Sequence, residues 1–149
     1  MCIRDRYRDS FLKVKNEGIN ITIHAGEGDG VHSIQEALDN GAKRIGHGVR
    51  IIEDISVDNK LGPTADHILQ NNIPLEVCIT SNLHTNMYKN PQDHPISRLH
   101  NLGFNISLNT DNRLMSNTSI DNELNVAKEA GIENPTSLLK YSASDSFLN

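Results

Sequence analysis

Apolar stretches of strand type and of helix type alternate along this chain. Residues 19–25 (INITIHA) are rich in Ile and Thr and run into Gly-rich sequence, which predicts a strand. Residues 32–40 (HSIQEALDN) carry Ile34, Ala37 and Leu38 on one face, with Gly41 as a stop, which predicts a short helix. Residues 43–48 (KRIGHG) form a very short strand candidate, and residues 63–72 form a helix with Pro63 in its first turn. A strand over 75–80 (LEVCIT), a helix over 95–101, a strand over 104–108 (FNISL) and a helix over 120–130 follow. Asn134-Pro135 opens a last helix. The order is β-α-β-α-β-α-β-α, which points to parallel βαβ units in an α/β fold, with strands covered on both faces. Residues 81–94 (SNLHTNMYKNPQDH) read as a long polar loop, and loops of that length are usually functional or carry structure of their own.

Composition narrows the class. The 149 residues are 36% hydrophobic, 22% charged and only 4% aromatic, a globular make-up with a modest core. A net charge of −5 argues against a dedicated nucleic-acid binder, which would carry a basic face. No apolar run reaches the ~18 residues of a spanning helix, so no membrane association is expected. The first ten residues lack the apolar core of a signal peptide. Two cysteines, Cys2 and Cys78, exclude a disulfide framework and fit a reducing, cytoplasmic compartment. Cys78, in mid-strand, reads as a buried hydrophobe.

The chemistry gathers at strand ends. His24 and Glu27 follow the first strand, His47 the second, Ser81 and Asn82 the third, and Asp111 and Asn112 the fourth. The C-terminal ends of parallel strands are the active edge of open α/β sheets and TIM barrels, where residues distant in sequence converge. His24 and Asp111 carry groups that ligate zinc. Taken singly, His24 reads equally as a strand-end histidine with a satisfied hydrogen bond, and Asp111 as a helix cap or turn residue. Glu27, beyond a flexible Ala-Gly, can point into the same pocket without binding metal, and His47 lies between two glycines that leave room for a substrate. His32, His67 and His100 read as helix-face residues and His94, before Pro95, as a helix-entry residue.

The blocks TIHAGEG, RIGHGVR, LEVCITSN and SLNTDNRL, in this order, resemble the adenosine deaminase family of the amidohydrolase group, over about residues 19–146. The resemblance implies a (β/α)8 TIM barrel, of which these four βα units correspond to the fifth to the eighth. It implies His24 and Asp111 as metal ligands for one zinc ion. It implies Glu27 as the proton donor to N1 of a purine, and His47 as the residue that orients or deprotonates the attacking water. The reaction would be hydrolytic deamination of adenosine to inosine and ammonia, with a small purine nucleoside as the partner. Adenine, an adenine nucleotide or an N6-modified purine are the alternative substrates, and an inactive half-barrel is the alternative reading.

Two departures from the family pattern stand out. Where the family has two adjacent aspartates, this chain has Asp111-Asn112. Asn112 is expected to keep the substrate contact, because an amide NH₂ can donate to N7 without needing a proton. The family's first strand also carries a His-x-His pair that supplies two further zinc ligands, and no His-x-His occurs in this sequence. A full barrel runs to roughly 250 residues. Residues 11–149 are therefore expected to be the C-terminal part of a deaminase domain. The missing N-terminal half would be needed to complete the barrel, and residues 1–10 are expected to be a leader foreign to the rest of the chain.

Overall fold

The computed structural model describes residues 8–139 and Phe147. Its centre is one sheet of four parallel strands in sequential order: β1 (Ile21–Ala25), β2 (Ala42–His47), β3 (Leu75–Val77) and β4 (Ile106–Leu108). Helix α1 (Arg8–Asn16) precedes the sheet. Helix α2 (Val31–Asp39) joins β1 to β2, and a 3-10 helix (Val49–Asp54) with α3 (Pro63–Gln70) joins β2 to β3. Between β3 and β4 lie α4 (Ile79–His84), a 3-10 turn (Pro91–Asp93) and α5 (Ile96–Asn101). After β4 come α6 (Arg113–Ser116), α7 (Ile120–Glu129) and a 3-10 helix (Pro135–Leu139).

The strand register sorts the side chains into two rows. Ile23, Ile45, Leu75 and Ile106 stand side by side across the sheet, all buried. They pack with Ile34, Ala37, Ile68, Leu99 and Ala127 of the helices into the core. Each Ile or Leu side chain among them contributes about 1.5–3 kcal/mol by leaving water. One residue along each strand, His24, Gly46, Glu76 and Ser107 form a second row on the opposite face. Among the described residues the apolar layer covers one face of the sheet, and the row on the other face is polar apart from Gly46. Arg44 on that face pairs with Glu76 at 3.2 Å and lies 4.2 Å over the Phe147 ring.

Local chemistry explains the element ends. Asn40 and Gly41 close α2, and Gly41 takes φ +90°, a conformation that a side chain would strain. The Asp54 carboxylate accepts from the first amides of α3, Thr64 N at 2.9 Å and Ala65 N at 2.8 Å. A Cβ at Gly62 would lie 2.1 Å from Asp54 Oδ1, so only glycine admits that cap. The Ser119 hydroxyl accepts from Asn122 N to start α7.

The expected strand over 75–80 ends at Val77, because the chain turns at Cys78 and Ile79 already starts α4. Residues 81–94 are accordingly not one open loop but most of α4, the 3-10 turn and their connections. Helix α4 is held by Glu123 of α7, which is fully buried and accepts from Thr80 N at 3.2 Å and Thr118 Oγ1 at 2.9 Å. Glu123→Ala should destabilise the chain by about 1–3 kcal/mol, since it strands the Thr80 amide. Denaturant unfolding checks this, and an unchanged midpoint would mean that α4 does not depend on the contact.

Candidate active site

The functional side chains stand at the C-terminal ends of the strands: His24 and His47 within the last two positions of β1 and β2, Glu27 and Asp111 on the turns that follow β1 and β4. After β1, Gly26 takes φ +66°, and a Cβ there would lie 2.5 Å from Ile34 Cδ1. Its amide donates to Ser33 Oγ of α2 at 2.8 Å, which fixes the turn that carries Glu27. After β2, His47 itself adopts φ +62° and Gly48 φ +71°. Gly48 N donates to Ala25 O at 2.9 Å and Arg50 N to Gly26 O at 3.1 Å, so the two turns are bonded to each other. Asp111 also has a left-handed backbone, φ +53°. Two non-glycine residues in this region within one site represent stored strain of roughly 1–3 kcal/mol each, of the kind that clusters at functional sites.

The turns bring the expected residues together. Ligand atoms of Glu27, His47 and Asp111 all lie within 4.8 Å of one another. The His24 ring meets the His47 ring edge-on, with centroids 5.1 Å apart. Gly46 makes room for it, since a Cβ at 46 would sit 2.3 Å from His24 Cδ2. Ser81 Oγ donates to Asp111 Oδ2 at 2.8 Å, which orients the carboxylate. His47 is 2% exposed, while His24 and Asp111 face outward. Burial lowers the His47 pKa from its ordinary value, with the Glu27 carboxylate pulling the other way. Imidazole and carboxylate groups this close together can hold a metal ion.

Asn112 is placed differently from the rest. Its side-chain oxygen caps α6, accepting from Leu114 N and Met115 N, both at 3.1 Å. The cap uses the acceptor end of the amide and leaves the NH₂ end to donate. Beside Glu27 opens a cavity of about 450 Å³, lined by Gly28, Arg50, Glu53, Thr85, Met87 and Tyr88. That is the size of a small-molecule site. His32, His67 and His100 are exposed on helices, as the sequence suggests. Cys78 is buried, which raises its thiol pKa, and it lies at the start of α4 instead of in mid-strand.

Two residues of this site carried no role in the sequence reading. Asn82, completely buried, donates from Nδ2 toward His47 Nδ1 at 3.3 Å and Glu27 Oε1 at 3.4 Å. His94, 3% exposed, reaches Asn82 Oδ1 from Nε2 at 3.2 Å. The signal for Asn82 was its strand-end position in TSN; for His94 it was only the neighbouring proline.

The family model described as adenosine deaminase matches residues 3–142. Adenosine deaminase 1 of Streptomyces coelicolor is 47% identical over 130 residues, 84% of this chain and 33% of that protein. The chain thus spans about a third of the length of this curated relative. Among solved structures, the Arabidopsis N6-mAMP deaminase MAPDA aligns with TM-score 0.76 and 25% identity over 95% of this chain and 41% of that one. The Arabidopsis ADAL complex with IMP aligns with TM-score 0.72 and 25% identity over 91% of this chain and 38% of that one. The four parallel βα units therefore correspond to a part of a TIM barrel. No helix among the described residues is long and apolar enough to cross a membrane.

Proposed function

The chain belongs to the adenosine deaminase family, and on that premise we propose that it supplies the proton-handling side of a zinc site that hydrolyses adenosine to inosine and ammonia. The observation that carries this reading is the cluster of Glu27, His47 and Asp111, with the His24 ring against His47, at the ends of three of the four parallel strands, β1, β2 and β4. His24 and Asp111 would hold the zinc, and the Ser81 hydroxyl leaves the second oxygen of Asp111 to do so. Imidazole and carboxylate are donors that suit zinc. When bound, zinc acidifies a water molecule and so supplies a nucleophile near neutral pH.

The chain's own residues do the rest. Glu27 holds a proton for N1 of the purine, which turns the ring into a better electron sink as oxygen adds at C6. His47, neutral because it is buried, orients the attacking water. The Asn112 amide, with its oxygen engaged by α6, turns its NH₂ to N7. A catalytic zinc site uses at least three protein ligands besides water. His24 and Asp111 would be two of them, with Glu27 and His47 reserved for proton handling, so the remainder would come from a complementary segment, as would the other half of the pocket wall.

The test is an assay of the purified chain with adenosine, followed by the absorbance change to inosine. It is run on the chain alone and on the chain co-expressed with the first four βα units of a related deaminase. We expect zinc-dependent turnover in the pair only. Turnover by the chain alone would overturn the need for a second segment. A folded, zinc-loaded pair without turnover on adenosine, adenine, AMP or N6-methyl-AMP would overturn the deaminase reading. The 47% identity to an adenosine deaminase favours adenosine within that panel.

A further inference from the structure

One member of the buried network around His47 has no freedom of protonation: the backbone amide of Ile96, at the start of α5. It can only donate, and it donates to His94 Nδ1 at 3.2 Å. His94 Nδ1 is therefore the bare nitrogen. Burial pushes the His94 pKa down to about 3, so the ring is neutral at physiological pH and its one proton resides on Nε2. Nε2–H then donates to the Asn82 side chain at 3.2 Å, so the atom facing it is the Asn82 oxygen. The Asn82 NH₂ must face the other way, toward His47 Nδ1 at 3.3 Å and Glu27 Oε1 at 3.4 Å. His47 Nδ1 accepts, so the His47 proton sits on Nε2, which approaches Glu27 Oε2 at 3.4 Å. The tautomer at the heart of the site is thereby set from a helix terminus three hydrogen bonds away.

We propose that His94 is a positioning residue for this site: it fixes the amide of Asn82, and through that amide the tautomer of His47. Nothing else described competes for the Asn82 oxygen of the side chain, and the Asn82 backbone is held in place by Met87 N and Thr85 Oγ1, which both donate to its carbonyl. The Tyr88 ring packs edge-on against His94, 4.9 Å between centroids, and keeps the imidazole from rotating away. The consequence for turnover rests on the deaminase reading; the tautomer itself does not.

The experiment records long-range proton–nitrogen NMR spectra of the ¹⁵N-histidine-labelled chain near neutral pH, so a failed deaminase assay leaves this test intact. In the wild type, His47 should display a bare Nδ1 and a protonated Nε2. His94→Leu should turn His47 into a mixture of tautomers or into the Nδ1–H form, because the Asn82 amide is free to flip. His94→Gln, whose NH₂ replaces the Nε2–H donor, should restore the wild-type pattern. If His94→Leu does not fold, Asn82→Asp decides. Its carboxylate still accepts from His94 but cannot donate to His47, so His47 should gain a proton at Nδ1. A wild-type His47 protonated at Nδ1 would overturn the proposal. So would a folded His94→Leu or Asn82→Asp chain with the His47 pattern unchanged.

Discussion

On the proposed role, Glu27→Gln should remove turnover. In a zinc-loaded pair that deaminates adenosine, kcat should fall about 10²–10⁴-fold, the usual range for loss of a general acid, with KM little changed. The amide is nearly the shape of the acid, so the pocket is kept, but it has no proton to give to N1. It also brings a misfit. The two carboxylate oxygens face two donors, Asn82 Nδ2 and His47 Nε2. A glutamine can accept only one of them and sets its NH₂ against the other. Steady-state kinetics on adenosine is the measurement, and a variant within threefold of wild type would remove Glu27 from the proton transfer.

Acid should unfold the chain through His94. The ring is buried neutral, with its pKa near 3 in the fold against an ordinary value of 6.5. Below pH 6.5 the unfolded chain takes up this proton and the folded chain does not. Stability contributed by the neutral ring is thus complete above about pH 6.5 and is lost as the pH falls toward 3. The slope approaches about 1.4 kcal/mol per pH unit, or roughly 3 kcal/mol by pH 4. His94→Gln has no such proton to take up. Denaturant unfolding of both chains between pH 7 and pH 4 should therefore give a shallower pH dependence for the variant. Parallel curves would mean that His94 is charged, or reaches solvent, in the fold.

The four strands and helices α2, α3 and α5 were legible, the helices because each is short, regular and followed by Asn or Gly. Where the reading slipped, a contact from elsewhere in the chain decided. The segment LEVCIT has strand-type residues throughout, yet α4 takes over at Ile79, and Glu123, more than forty residues on, holds the Thr80 amide there. The alternation in ITIHA and FNISL already contains the separation of the sheet into an apolar row and a polar row, although Ser107 in the polar row is buried as well. That His24, Glu27, His47 and Asp111 gather was legible from their common position at strand ends. Asn82 was read at the third strand end, but its role and that of His94 were not legible, because their meaning lies in a hydrogen-bond chain across three elements, and no local pattern encodes which atom of an amide faces which ring. The Asn112 cap of α6 was missed for a plainer reason: the helix is a single turn and carries no periodicity.

The two rows of the sheet have a genetic consequence. Neighbouring codons in one strand encode different kinds of failure. Ile45 belongs to the apolar core, and the chief phenotype of a substitution there would be scarcity: less folded protein. A substitution at Gly46, the next codon, drives a side chain into the His24 ring and would leave a protein that accumulates but cannot assemble its site. Abundance and competence are thus inherited through alternate positions of the same six-residue strand.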